Sequence, residues 1–301
     1  MKWEGRRRST NVNDRRGRTS AGRRMAVGGG SLGVVGIVVY LLITLLSGGG
    51  GGDLGDILGG AVLPGSVQTD SQQQSTYVES EQERELMGLL SVALADIEDT
   101  WSAVLPASQY QAQYREPELT VYTGAINTAC GAADAGVGPF YCPGDQTIYL
   151  DLSFYDTLTR KYGAKEGDFA MVYVIAHEAG HHVQTLLGVT SQLNDLRQRV
   201  ARGAMSQTEF NRYSVAFELQ ADYLAGVVAR YMQERGYLER GDLSEAMSAA
   251  ASVGDDAIQR RYQGYVDPDT FNHGTSEQRQ EWFRRGFEAG DLSGWDTFRG
   301  L

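Results

Sequence analysis

The chain has 301 residues, of which 42% are hydrophobic and 22% are charged. This composition excludes a fully disordered chain and a coiled coil, and the length is enough for one medium-sized globular domain. Residues 1–24 carry nine basic and two acidic side chains, a net charge of +7, whereas the remainder carries 18 basic and 36 acidic side chains, a net charge of −18. An acidic body lacks the basic surface that phosphate backbones require, so nucleic-acid binding is not expected.

An uncharged apolar stretch follows the basic arm of residues 1–26. Residues 27–46 contain GGGSLGVVGIVVYLLITL, and 20 helical residues reach about 30 Å, the thickness of the hydrocarbon core of a bilayer. The stretch therefore predicts a single transmembrane anchor, with a buried core helix or a cleaved signal peptide as the alternatives. The positive-inside rule then places the arm in the cytoplasm and the following domain outside it, as in a single-pass membrane protein.

Residues 47–80 are rich in glycine, glutamine and serine and are too polar to bury an apolar face, so they are predicted to be a linker. The folded domain is then assigned to residues 81–301. Its two cysteines, Cys130 and Cys142, are 12 residues apart. In an oxidising compartment a disulfide is the simplest interpretation of this pair. Metal binding by the cysteines is less favoured, because no second pair and no histidine lies nearby.

Two segments have strand patterns, and one upstream segment has a helical pattern. Residues 118–124 and 144–152 alternate apolar and polar side chains and are predicted to pair as strands. Apolar residues recur at helical spacing in residues 83–105, which predicts a helix behind the sheet.

Three of the four histidines lie in the segment HEAGHH, which begins at His177. Apolar residues recur around it at helical spacing and Asp168 is a candidate cap, so the segment is predicted to lie on a buried helix. His177 and His181 are one turn apart and would face one Zn²⁺, with Glu178 placed to take a proton from its water. His182 points to another face and is interpreted as structural or as a support for the ligands. The alternative is a pair of core histidines that bond to the backbone.

A later helix is predicted to supply the third ligand. Catalytic zinc needs three protein ligands and an open position, and Leu187 stands where a metzincin would have its third histidine. The segment FELQADYLAG places Glu218 and Asp222 four residues apart on one helical face. We predict that Glu218 binds the metal and that Asp222 accepts the outer N–H of a ligand histidine. The alternative for this pair is a solvated acidic face.

The motifs HEAGHHVQ, ELQADYLAG and HGTSEQR occur in this order. Together they resemble the putative neutral zinc metallopeptidase family, whose pattern is similar to that of gluzincin peptidases of the HExxH plus ExxxD type. The resemblance extends from about residue 101 to residue 298. It implies a mainly helical, zincin-like α+β domain with a small β-sheet. It also implies one Zn²⁺ per chain, with Glu178 as general base and three ligands, namely His177, His181 and Glu218.

The same resemblance makes two further predictions. The histidine of the third motif, His273, would lie near the oxyanion of the substrate, whereas the alternative is a helix-entry histidine that bonds to the backbone. In gluzincins an edge strand beside the zinc helix binds an extended peptide. Residues 146–151 would by analogy form this substrate strand, with an ordinary core hairpin as the alternative.

These features together predict a membrane-anchored zinc metallopeptidase that hydrolyses peptide bonds in a peptide or protein substrate. Two other functions stay open. One is a non-catalytic metal-binding envelope module that recruits a partner, and the other is a zinc hydrolase of non-peptide substrates. Cobalt or manganese could occupy the same ligands, although the donor set favours zinc. The sequence gives no indication of the oligomeric state.

Overall fold

The computed structural model describes residues 1–17 and 77–301 of the chain. In these residues the architecture is α+β and mostly helical, with small sheets, and this part of the predicted fold class is confirmed. No helix within the described ranges is long and apolar enough to span a membrane. The predicted anchor at residues 27–46, and the linker as far as residue 76, lie outside the described residues.

Seven helices of nine or more residues contain half of the described residues. They are α1 (Glu81–Ala107), α2 (Asp168–Leu186), α3 (Val189–Ala201), α4 (Gln207–Glu234), α5 (Asp242–Ser252), α6 (Asp255–Gln263) and α7 (Ser276–Ala289). Capping boxes begin α1, where Ser80 and Glu83 exchange hydrogen bonds, and α7, where Thr275 and Gln278 do the same. Such caps satisfy backbone N–H groups that have no partner within the helix.

A four-stranded sheet lies beside the helices. The described residues form six strands in all, of which four belong to this sheet. They are β1 (Val12–Asp14), β2 (Glu118–Tyr122), β3 (Ala125–Thr128), β4 (Gly131–Asp134), β5 (Phe140–Cys142) and β6 (Thr147–Asp151). The sheet has the order β1-β2-β6-β5, in which β1, β2 and β6 are parallel and β5 is antiparallel to β6. Strands β3 and β4 form a separate antiparallel pair. The predicted pairing of two strands is confirmed by β2 and β6.

The prediction that residues 146–151 form an edge strand is wrong. Strand β6 lies between β2 and β5 and hydrogen-bonds to both, so neither of its edges is open. In the described part of the chain, β5 is the strand at the end of the sheet that faces α2. The sequence pattern marked the longer strand of this hairpin, because three residues of β5 are too few to show a period.

Helix α2 is the centre of the core. It packs against α1, α4 and α5, and nearly all of its residues are buried. Its first residue is Asp168, which does not cap it, so that prediction is wrong. The carboxylate of Glu245 on α5 instead accepts the N–H of Phe169 at 3.2 Å. Helix α1 packs mainly on α2 and α4 and shares one apolar core with β2 and β6.

Two glycines let α4 and α7 approach closely. A Cβ added at Gly286 would lie 1.8 Å from the carbonyl oxygen of Tyr223, and one added at Gly226 would lie 2.1 Å from the carbonyl oxygen of Phe283. No other residue fits at either position without moving a helix backbone. This close contact brings the side chains of α7 to the centre of the fold.

The predicted disulfide between Cys130 and Cys142 is present, with 5.8 Å between the two Cα atoms. Cys130 lies in the turn between β3 and β4, and Cys142 is the last residue of β5. The disulfide therefore ties the small β3–β4 pair to the end of the main sheet.

The N-terminal segment, residues 1–17, is part of the folded unit. Its strand β1 extends the sheet by pairing with β2, and Arg6 and Arg7 bind acidic side chains on α1. The sequence-based division, which begins the domain at residue 81 and leaves residues 1–26 as a separate arm, is therefore wrong for this segment. The physical reason is that its arginines pair with acids of the same domain.

A glycine of α1 provides a test of this packing. A Cβ at Gly88 would lie 2.8 Å from the ring of Trp3, so we expect Gly88→Ala to displace Trp3 and lower the melting temperature. The intrinsic helix preference of alanine acts in the opposite direction by about 1 kcal/mol. In a Trp3→Ala background, the same Gly88→Ala change should therefore raise the melting temperature. Equal stabilisation in both backgrounds would show that Trp3 does not pack on α1.

Candidate metal centre

Two helices bring three metal-binding side chains together. Helix α2 presents His177 and His181 from successive turns, and α4, which packs on it, presents Glu218. The Nε2 atom of His177 lies 3.2 Å from Oε2 of Glu218, and Nε2 of His181 lies 3.6 Å from Oε1. All three side chains are buried, and one ligand atom from each lies within 4.8 Å of the others. The three ligands predicted from the sequence thus converge on one point.

These separations suit a tetrahedral zinc ion. Zinc binds imidazole nitrogen and carboxylate oxygen at about 2.0–2.2 Å, so neighbouring ligands in a tetrahedral site are about 3.4 Å apart. The separations of 3.2 and 3.6 Å, which join the two imidazoles to different oxygens of Glu218, are close to that value. Two imidazoles and one carboxylate are also a donor set that zinc uses in catalytic sites. The site therefore fits zinc in both geometry and chemistry.

Asp222 fixes the orientation of the His177 ring. Its Oδ1 atom lies 2.9 Å from Nδ1 of His177, which leaves Nε2 for the metal-binding cluster. Asp222 is fully buried and lies one helical turn from Glu218. One helix thus supplies both a ligand and the carboxylate that orients another ligand, as in many zinc sites. The structure places Asp222 where the sequence pattern required it.

A buried arginine on α7 holds Asp222 from its other side. Nε of Arg279 donates to Oδ2 of Asp222 at 2.8 Å, and Nη2 donates to Oδ1 at 3.0 Å. The hydroxyl of Tyr173 donates to the same Oδ1 at 2.5 Å. Burial raises the pKa of Asp222, but the charge of Arg279 outweighs burial and holds this pKa below its ordinary value. Sequence analysis assigned no role to Arg279 or Tyr173.

A chain of amides orients the second ligand histidine. Nδ1 of His181 lies 2.7 Å from Oε1 of Gln184, whose amide nitrogen donates to the carbonyl of Phe217 and to Oε1 of Gln220. The Phe217 ring stacks on the His181 ring with centroids 4.9 Å apart. Sequence analysis missed this chain. The available signal was the three-residue spacing of His181 and Gln184, which places both on one helical face.

Glu178 lines the same cleft as the ligands and has one oxygen free. Its Oε2 atom is buried and has no hydrogen-bond partner among the described residues. Burial raises the pKa of Glu178 to about 7, and a divalent cation nearby would lower it again. A buried carboxylate oxygen without a partner, next to a cluster of metal ligands, suits a group that binds a water molecule.

The three candidate ligands and Asp222 strongly influence one another's pKa values. Burial lowers the pKa of His177, but the charge and hydrogen bond of Asp222 outweigh burial and raise this pKa to about 9. Burial lowers the pKa of His181 to about 4. Burial raises the pKa of Glu218, but the neighbouring histidines outweigh it and hold this pKa below its ordinary value. At neutral pH a proton on His177 therefore occupies the place that a metal ion would take.

His273 lies in the same cleft and is held by an acid rather than by the backbone. Its Nδ1 atom lies 3.1 Å from Oδ1 of Asp255, and Oδ2 of Asp255 accepts the N–H groups of Asn272, His273 and Gly274. Burial lowers the pKa of His273, and the charge of Asp255 outweighs burial and raises it. Because Nδ1 is engaged, Nε2 is the ring atom available to a ligand in the cleft.

His182 connects the metal-binding helix to its surroundings. Its Nδ1 atom lies 2.9 Å from the hydroxyl of Tyr141 on β5, and Nε2 lies 2.6 Å from the carbonyl of Arg115. Burial lowers the pKa of His182 to about 4, so the ring is neutral. His182 therefore positions β5 relative to α2 and is not a metal ligand.

Zinc affinity tests the role of Asp222. We expect Asp222→Asn to weaken zinc binding by about 10- to 100-fold, because the His177 ring loses the carboxylate that orients it. Competition with a chelating dye measures this affinity, and Asp195→Asn on the exposed face of α3 is the matched control. An affinity equal to that of the control would mean that Asp222 does not support the ligand.

Proton release on zinc binding tests the coupling of His177. Its pKa of about 9 leaves it protonated at pH 7, and a metal binds only the neutral ring, so zinc should displace about one proton from it. This contribution disappears as the pH rises above 9 and shrinks in Asp222→Asn, where the cause of the raised pKa is absent. Titration calorimetry in two buffers of different ionisation enthalpy measures the release. Heats that do not depend on the buffer would contradict this protonation state.

Comparison with known proteins agrees with this site. The family model described as putative neutral zinc metallopeptidase matches residues 1–298. The chain is 47% identical over 302 residues to the uncharacterized protein YpfJ of Escherichia coli K12, a match that covers 99% of each chain. It is 41% identical over 212 residues to the uncharacterized protein Rv2575 of Mycobacterium tuberculosis H37Rv, or 67% of each chain. No solved structure matches significantly. The chain therefore belongs to the putative neutral zinc metallopeptidase family.

Proposed function

We propose that this protein is a zinc-dependent peptidase that cleaves peptide bonds with Glu178 as the general base. The observation that carries the proposal is the convergence of three ligand atoms within 4.8 Å beside a buried carboxylate oxygen that has no partner. His177, His181 and Glu218 would hold one zinc ion per chain. A bound zinc ion supplies the Lewis acidity that polarises a carbonyl group and makes water acidic.

Glu178 would move the proton in this reaction. Its free Oε2 atom accepts a proton from the attacking water, and the same carboxyl group then donates that proton to the leaving amine. Burial raises the pKa of Glu178 and a bound cation would lower it, so the two effects oppose each other at the proposed base. The 7% exposure of the side chain also limits competition from bulk water.

His273 would stabilise the negative charge that develops on the substrate oxygen. Its Nδ1 atom is bound to Asp255, which leaves the Nε2–H to donate into the cleft. A donor fixed before the reaction begins costs little reorganisation and stabilises the transition state more than the ground state. Because Asp255 also binds three backbone N–H groups of residues 272–274, the position of this donor is fixed by the surrounding loop.

Strand β5 is the candidate binding edge for the substrate. It pairs only with β6 within the described ranges, and residues 135–139, which precede it, line the cleft. Its residue Tyr141 contacts His182 on the metal-binding helix, so the edge is fixed relative to the ligands. An extended peptide can add to such an edge through its main chain. Main-chain binding of this kind would favour a peptide over a non-peptide substrate.

We also propose that the domain works in an oxidising compartment and is attached to a membrane through residues 27–46. The disulfide between Cys130 and Cys142 supports this compartment, because such bonds are rare where thiols are kept reduced. The uncharged, apolar composition of the stretch supports the attachment.

The decisive test replaces the proposed base and keeps the ligands. We expect Glu178→Gln to retain zinc and the fold while peptide hydrolysis falls by at least about 100-fold, the lower end of what general base catalysis contributes. Glu85→Gln, which changes an exposed glutamate on α1, is the matched control. Metal analysis and digestion of a mixed peptide library measure the two properties separately.

The same experiment separates the other candidate functions. A wild-type chain that holds zinc and cleaves no peptide in the library would favour a non-catalytic metal-binding module. Hydrolysis of esters or of amidated sugars, with all peptides untouched, would favour a zinc hydrolase of another substrate class. Equal hydrolysis by Glu178→Gln and the control would contradict the proposed role of Glu178.

A further inference from the structure

The N-terminal segment, residues 1–17, is bound to the domain along its whole length. Its strand β1 adds an edge to the main sheet. Three further backbone hydrogen bonds of 2.8 Å anchor its start, middle and end, from Lys2 N–H to Tyr237 O, from Ser9 N–H to Ser91 O, and from Arg15 N–H to Val121 O. These bonds reach three separate parts of the fold, so the segment is an integral part of the domain.

The basic side chains of the segment bind acidic side chains of α1. Arg6 pairs with Asp96, and Arg7 donates to Glu98 at 3.3 Å and to Asp99 at 2.8 Å. Asp96 and Glu98 are only 4% and 2% exposed. Burial of these two carboxylates is tolerated because the segment supplies their cationic partners.

The end of the segment also contacts the residues that precede α1. A Cβ at Gly17 would lie 2.3 Å from Cβ of Tyr77, so the two residues that flank residues 18–76 are in contact. Beside them, Nη2 of Arg16 donates to Oε1 of Glu79 at 2.8 Å. The chain therefore leaves the domain and returns to it at the same point.

We propose that residues 1–17 and residues 77–301 lie on the same side of the membrane that the apolar stretch at residues 27–46 is predicted to enter. A single crossing would place the two flanks on opposite sides of a hydrocarbon core about 30 Å thick. That separation is incompatible with contact between Gly17 and Tyr77. Three arginines of the segment, Arg6, Arg7 and Arg16, pair with acids of the domain, so their charges are not a signal for membrane orientation alone.

The proposal does not depend on peptidase activity, since it rests on packing remote from the metal-binding cluster.

Cysteine labelling of the full-length chain in its membrane tests the proposal. Both native cysteines are in the disulfide, so Glu4→Cys and Ser102→Cys each introduce a single free thiol at an exposed position. Spheroplasts that express either variant are treated with a membrane-impermeant maleimide before and after permeabilisation. We expect both thiols to react without permeabilisation, to the same extent within about twofold.

The possible outcomes are distinct. Reaction of both thiols in intact spheroplasts supports the proposal and also the oxidising compartment. Protection of both thiols supports the proposal and contradicts that compartment. Reaction of one thiol with protection of the other would overturn the proposal and restore a single crossing.

Hydrogen exchange of the purified full-length chain in detergent tests the docking itself. We expect the amides of residues 12–14 to be protected, and to exchange at least tenfold faster in the double variant Asp96→Asn/Glu98→Gln than in the control Glu85→Gln. Amides of α2 should exchange at similar rates in both. Rapid exchange of residues 12–14 in the wild-type chain would overturn the proposal, because the segment would then not be held by the domain.

Discussion

The centre of the structure depends on the hydrogen bonds and ion pairs of the buried Asp222 carboxylate. A buried carboxylate is tolerated only when cations and donors surround it, and here Arg279, Tyr173 and His177 do so from two other helices. The need to pair this carboxylate therefore links α2, α4 and α7 at the side chain of Asp222. The glycines at which α4 and α7 touch allow this link, because any larger residue there would move Arg279 away.

Much of this site could be predicted from the sequence, because its ligands obey helical spacing. His177 and His181, and likewise Glu218 and Asp222, are four residues apart, so each pair shares a helical face regardless of the remaining fold. The supports could not be found in this way. Arg279 reaches Asp222 across 57 positions of sequence, and Gln220 reaches the Gln184 amide across 36. Spacing within one helix carries no information about such contacts.

The sequence predicted the α+β class of the fold, but it did not predict the order of the strands or the place of the N-terminal segment. Period-two alternation identified β2 and β6, but strand β5 has only three residues, too few to show a period. Strand β1 is equally short, and the arginines that precede it matched a rule for membrane topology. Their partners on α1 lie about 90 positions away in the sequence. Local composition thus favoured a separate arm. In the structure, long-range ion pairs attach the N-terminal segment to α1, and its strand β1 joins the sheet.

The disulfide lies close enough to the cleft to affect it. Cys142 follows Tyr141, the residue through which β5 contacts His182 on the metal-binding helix. While the two thiols are reduced, no covalent bond would hold the end of β5 against the β3–β4 turn, whereas the proposed zinc ligands lie on α2 and α4, which the disulfide does not join. Oxidation would then act as a maturation step, since the chain would gain a firmly seated substrate strand only after it reached a compartment that forms disulfides.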